Sequence, residues 1–131
     1  MLFCLLWYNE GMIKEIAFVS YAIENVVEAR NFYENILGLK PSSVWEGDGM
    51  LFIEYEIGQS TLAIGKGAPN FKPGTTGATV ALEVDNFENT VKTLKDKGIK
   101  FTMEAYETPV CHMAIVMDPD GNQIMIHKRK G

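Results

Sequence analysis

The chain has little basic charge, little cysteine and no long hydrophobic run, and each shortage removes a class of function. Its 131 residues carry 12 Lys and Arg against 17 Asp and Glu, for a net charge of −5. Nucleic-acid binding draws on clustered cations that release counterions from phosphate, so this balance argues against it. Lys128-Arg129-Lys130 is the one basic run and reads as a solvated end. Cys4 and Cys111 lack CxxC spacing and are too few for a disulfide framework or a zinc cluster, which points to a reducing, cytoplasmic setting. The apolar opening Met1–Tyr8 has neither a basic leader nor a small-residue cleavage site, and it falls far short of the ~20 residues that span a bilayer. Residues 1–11 are therefore expected to be an extension ahead of Met12, the alternatives being an added strand or an oligomer contact. One internal shortage is more pointed. From Ile57 through Leu82 there is no His, Asp, Glu or Cys.

What is present is a weak repeat. Ile16–Ile23 is a β-rich run, Asn25 is placed to cap a helix over Val26–Leu37, and Gly38 stops it. Thr79–Val84, Asn86, the stripe Phe87, Val91 and Leu94, and Gly98 restate the pattern; Asn25 and Asn86 are sixty-one positions apart, as are Phe18 and Thr79. Short strands follow each helix: 40–45, 50–57 and 60–64, then 100–106, 110–117 and 123–128. The Gly- and Pro-rich stretch 65–77 links the copies. The expected organisation is one domain over 1–131, with βαβββ modules at 12–66 and 77–130.

Alternation assigns faces to these strands. Val19, Tyr21, Ile23, Leu51, Ile53, Tyr55, Leu62, Ile64, Val80, Leu82, Val84, Ile124 and Ile126 form a dry face suited to packing on the helices. The other face mixes small, polar and bulky groups: Phe18, Ser20 and Ala22; Phe52, Glu54 and Glu56; Thr61 and Ala63; Thr79, Ala81 and Glu83; Met113, Ile115 and Met117; Gln123, Met125 and His127. Two readings of it stand open, the lining of a small-molecule cleft and a solvated surface.

Asp118-Pro119-Asp120-Gly121-Asn122 has the chemistry of a tight turn: an Asx side chain, a proline-set φ and a glycine for the left-handed position. As a regular hairpin it pairs Ile115 with Met125 and Met117 with Gln123. This turn, together with the helix segment 25–39 (NVVEARNFYENILGL), resembles the signatures of the glyoxalase, bleomycin-resistance and extradiol-dioxygenase superfamily, also called vicinal oxygen chelate proteins. The likeness runs from Met12 to Lys130. It implies an α+β fold in which paired βαβββ modules form an incomplete, curved mixed β-barrel, often completed by a homodimer partner.

Metal-dependent members hold a divalent ion through His or Glu at the first and last strands of each module. The positions here that match are Phe18, Ala63 or its neighbour Leu62, Thr79 and Met125, none a competent ligand for Fe, Ni, Zn or Mn. No cofactor and no metal are therefore expected. The primary reading is a metal-independent, bleomycin-resistance-like protein that binds a small, partly apolar molecule, with no nucleic-acid or membrane partner. Phe18, Thr79, Ala81, Met113, Ile115 and Met125 would supply walls, and Ser20, Glu54, Glu83, Gln123 and His127 the orienting polar groups, two carboxylates favouring a cationic ligand. Trp45 and Tyr106 are open to stacking on an aromatic ligand or capping the core.

Two alternatives accompany this reading. One is a glyoxalase-related lyase, isomerase or dioxygenase using Glu54, Glu83 and His127 as a displaced metal site or as metal-free acid and base. The other is a non-catalytic interaction subunit. Cys111 and His112 are not expected to form a dyad, because adjacent strand residues face opposite ways.

Overall fold

A computed structural model describes residues 16–68, 71–74, 78–109 and 111–131. The expectations for residues 1–11, Met12, Cys4, Val110 and part of the linker lie outside the described residues.

The first repeat runs β1 (Val19–Ala22), α1 (Val26–Arg30) continued by a π-helical turn (Asn31–Ile36), β2 (Pro41–Gly47), β3 (Met50–Ile57) and β4 (Ser60–Lys66). The second runs β5 (Val80–Glu83), α2 (Phe87–Asp96), β6 (Phe101–Glu107), β7 (Cys111–Met117) and β8 (Gln123–Arg129). Each helix starts where an asparagine caps it: the Asn25 side chain accepts from the Glu28 N–H at 3.0 Å, and the Asn86 side chain from the Asn89 N–H at 3.0 Å. The first helix is not α-helical throughout, as periodicity suggested. Its last turn widens, with the Leu37 N–H donating to Phe32 O at 2.9 Å, and this accommodates two successive buried aromatics, Phe32 and Tyr33.

Two four-stranded mixed sheets result, ordered β1-β4-β3-β2 and β5-β8-β7-β6. In each, the strand before the helix pairs in parallel with the last strand of its repeat, and the remaining pairings are antiparallel. Neither sheet closes on itself, so the α+β architecture is an incomplete curved barrel. The hairpin at Asp118 has the expected register, Ile115 opposite Met125 and Met117 opposite Gln123.

The dry face is borne out. Its thirteen residues join Ala29, Phe32 and Tyr33 of the first helix and Phe87 and Leu94 of α2 in one core shared by both sheets. Tyr33 stacks on Tyr55 with ring centroids 6.1 Å apart and packs edge-on to Phe32 at 5.0 Å.

Polar contacts fasten the halves as well. The Tyr33 hydroxyl donates to Asp118 Oδ2 at 2.8 Å, and the Asn122 side-chain amide donates to Ala22 O at 2.7 Å and to Asp118 Oδ2 at 2.8 Å. Asp118 Oδ1 accepts the N–H groups of Asp120 and Asn122, at 2.9 and 2.8 Å. Both side chains are buried, and Asn122 Oδ1 completes their partners by accepting the Gly74 N–H at 3.1 Å. Tyr21 adds a bridge, its hydroxyl donating to Gln123 O at 2.7 Å and accepting the Val80 N–H at 2.9 Å. The turn motif is thus a clasp between repeats.

Candidate functional site

Strand register sorts the mixed face into rows that cross each sheet. In the first sheet Ala22, Gly65, Phe52 and Trp45 form one row, and Ser20, Ala63, Glu54 and Ser43 the next. In the second sheet the rows are Glu83, His127, Met113 and Tyr106, then Ala81, Met125, Ile115 and Met103. Trp45 and Tyr106 hold equivalent places on the outermost strands, 50% and 59% exposed respectively. The proposed cleft residues therefore fall into two groups: Phe18, Ser20 and Glu54 on the first sheet, and Thr79, Ala81, Glu83, Met113, Ile115, Gln123, Met125 and His127 on or beside the second.

The first sheet's open face holds a cavity of about 510 Å³ lined chiefly by Phe18, Ser20, Trp45, Phe52, Gly65 and Phe71. Phe18 meets Phe52 edge-on with centroids 5.6 Å apart. Gly65 forms floor rather than wall: a Cβ there would stand 3.2 Å from both the Phe52 and Phe71 rings and 3.3 Å from Leu51 O. The Ser20 hydroxyl is buried without a hydrogen-bond partner among the described residues. Glu54, expected in the lining, is not part of this wall. Phe52, Gly65 and Phe71 were missed as site residues. Phe52 was visible from alternation, whereas Phe71 reaches the pocket only because the linker folds back over the sheet.

On the second sheet, His127 Nδ1 and Glu83 Oε1 are 2.6 Å apart, and Glu83 Oε2 accepts the Arg129 N–H at 2.7 Å. That N–H, then the His127 contact, hold the Glu83 carboxyl below its ordinary range, so it stays ionised beside the imidazole. At the polar end of the same sheet, Thr102 Oγ1 donates to Gln123 Oε1 at 3.3 Å.

Glu54 lies on β3 of the first sheet, and Glu83 and His127 on β5 and β8 of the second. Among the described residues no three His, Cys, Asp or Glu are grouped to hold a metal ion. Of the positions matching the superfamily's ligands, Leu62 packs in the core and Ala63 lies on the open face, beside Ser20. Phe18, Ala63, Thr79 and Met125 do not fit a hard divalent ion. Cys111 and His112 diverge: the thiol lies 3.2 Å from Thr108 Oγ1, while the imidazole packs on Phe87 at 5.5 Å between centroids.

The repeated βαβββ order, the hairpin clasp and the open sheet faces agree with a sequence profile of the glyoxalase/bleomycin resistance protein/dioxygenase superfamily that matches residues 15–126. The chain belongs to that superfamily. Among solved structures it is similar to TnmS3, described as an antibiotic binding protein from Streptomyces sp. CB03234, with 20% identity, 92% of this chain and 100% of that one covered, and a TM-score of 0.78. It is also similar to a superfamily member from Sphaerobacter thermophilus DSM 20745, at 23% identity, 90% and 99% coverage and a TM-score of 0.72. A glyoxalase family protein from Enterococcus faecalis aligns at 21% identity, 89% and 99% coverage and a TM-score of 0.69. A comparison with curated proteins finds no match. Among the described residues no helix is long and apolar enough to cross a membrane.

Proposed function

We propose that this chain reversibly binds a small, predominantly apolar molecule in the aromatic pocket of the first sheet, without the superfamily's divalent ion and without chemical conversion. The observation that carries the reading is the convergence of Phe18, Trp45, Phe52 and Phe71 around about 510 Å³, a volume typical of ligand sites. The aromatic wall favours flat apolar surface over the cationic ligand that paired carboxylates suggested, because Glu54 lies outside it. A buried hydroxyl at Ser20 without a partner offers one point for a polar substituent. The description of TnmS3 as an antibiotic binding protein accords with sequestration as the mechanism. We assign the protein to the cytoplasm as a homodimer, the exposed Tyr106 on the outer strand β6 being a surface that a second copy would cover.

The test is titration with N-phenyl-1-naphthylamine, a flat apolar fluorophore, alongside native mass spectrometry and metal analysis of protein purified without chelator. Phe52→Ala removes an aromatic contact of about 0.5–1.5 kcal/mol plus its buried area, so affinity should fall roughly tenfold. Equal probe affinity in Phe52→Ala, or a stoichiometric divalent metal in the purified protein, would overturn the proposal.

A further inference from the structure

The second sheet differs in kind from the first. Met113, Ile115, Met125 and His127 present partly buried side chains on its open face, while Ala114, Val116, Ile124 and Ile126 between them fill the core. His127 stands between two strands, with Glu83 beside it on β5 and Met113 opposite it on β7. Its Nδ1 is engaged by Glu83 at 2.6 Å. Glu83 and Met113 thus flank His127 from opposite sides of β8, and the Glu83 contact leaves Nε2 as the ring nitrogen it does not use. Met125 precedes His127 by two positions on β8 and shares its face, diagonal to Met113. An imidazole with one nitrogen held by a carboxylate and flexible thioethers at neighbouring positions of the same sheet face has the outer-shell arrangement of a metal-binding histidine.

We propose that His127 Nε2 and the thioether sulfurs of Met113 and Met125 form a site for a soft monovalent cation, Cu(I), with Ag(I) as its redox-inert surrogate. Thioethers are weak ligands for Zn, Ni or Fe and favourable ones for Cu(I), so the donor set itself selects the ion. Three donors suit the low coordination number of such a cation, and the ionised Glu83 on the far side of the ring offsets its single positive charge. Methionine supplies the adaptability, since three rotatable bonds bring sulfur to a common point from neighbouring strands. This site is separate from the aromatic pocket: none of its three donors lines that pocket.

The experiment uses the full chain carrying Cys4→Ser and Cys111→Ser, so that no thiolate competes. Anaerobic titration with Cu(I) against the chromophoric chelator bicinchoninate should show one equivalent bound, and X-ray absorption should show both sulfur and nitrogen neighbours. Met113→Leu with Met125→Leu keeps side-chain volume and should weaken binding at least tenfold, as should His127→Gln. Naphthylamine binding in the first sheet should be unchanged in these variants, which separates failure here from failure of the proposed function. Should a variant fail to fold, methyl NMR of the parent with Ag(I) decides: Met113 and Met125 resonances shift while Met50 does not. No Cu(I) uptake, a nitrogen-only coordination shell, or equal affinity in the Leu variant would overturn the proposal.

Discussion

Removing one hydroxyl at the clasp tests whether the Asp118 turn fastens the two repeats. Tyr33→Phe deletes the donor at 2.8 Å from Asp118 Oδ2 and leaves the ring in place, 0% exposed and stacked on Tyr55. Hydrogen bonds to a charged group contribute about 1.5–3 kcal/mol. Asp118 retains the Asp120 and Asn122 N–H groups and the Asn122 amide, so the expected loss lies towards the lower end, about 2 kcal/mol, or roughly 8 °C in Tm. Asp118→Ala is the harsher change. It strips the acceptor from all four donors and should cost about 4 kcal/mol or more, a large part of the roughly 5–15 kcal/mol that a domain has. Urea denaturation of both single variants and the double variant closes a cycle, with an expected coupling of about 1–2 kcal/mol. Alkaline titration gives an independent reading, because burial and then Asp118 push the Tyr33 phenol far above its ordinary value. Stabilisation from such a raised group is complete below the unfolded pKa of about 10 and declines only above it, so Tyr33→Phe should reduce the alkaline loss of stability. A change under about 0.5 kcal/mol on Tyr33→Phe, or a coupling near zero, refutes the clasp.

Other consequences are as direct. Gly67 has φ +96, and a Cβ there would fall 2.4 Å from Gly49 O, whereas at Gly38, φ +76, a Cβ meets nothing within 4 Å. Gly67→Ala should therefore cost about 2–3 kcal/mol and Gly38→Ala about 1 kcal/mol in denaturant titration, and equal costs would contradict the close approach. The Glu83 carboxyl sits below its ordinary range, so its contribution is present above the unfolded pKa and lost as pH falls through the lower folded value. Carbon NMR titration should place its midpoint under the usual 4.3 or so, and Glu83→Gln should flatten the acid limb; a midpoint at or above that value sinks the Arg129 N–H and His127 contacts together. Trp45→Ala, at a residue 50% exposed, should weaken naphthylamine binding with under about 1 kcal/mol change in stability, and the reverse outcome would make Trp45 a structural residue.

Local chemistry makes much of this fold legible in the sequence. Asn25 and Asn86 are caps because short polar side chains satisfy the first amides of a helix, and that rule needs no tertiary context. The hairpin register followed from the turn residues alone. The partners of Asp118 and Asn122 were out of reach, since Tyr33 and Ala22 lie 85 and 100 positions away. Glu83 and His127 were each named as candidates, but their pairing depends on the parallel register of β5 and β8, which no local pattern specifies. The aromatic pocket was half legible: alternation found Phe18 and Ser20, while Phe71 depends on the path of the linker.

The alternation of the inner strands has an evolutionary consequence. Residues that hold the two sheets together point one way into a single common core, and residues such as Phe52 that line the aromatic cavity point the other. Selection can rewrite one open face without disturbing the residues that keep the chain folded, and can rewrite the other independently. A repeated unit built this way carries two open faces free to drift apart, one now aromatic and one rich in methionine, on a shared foundation that neither change erodes.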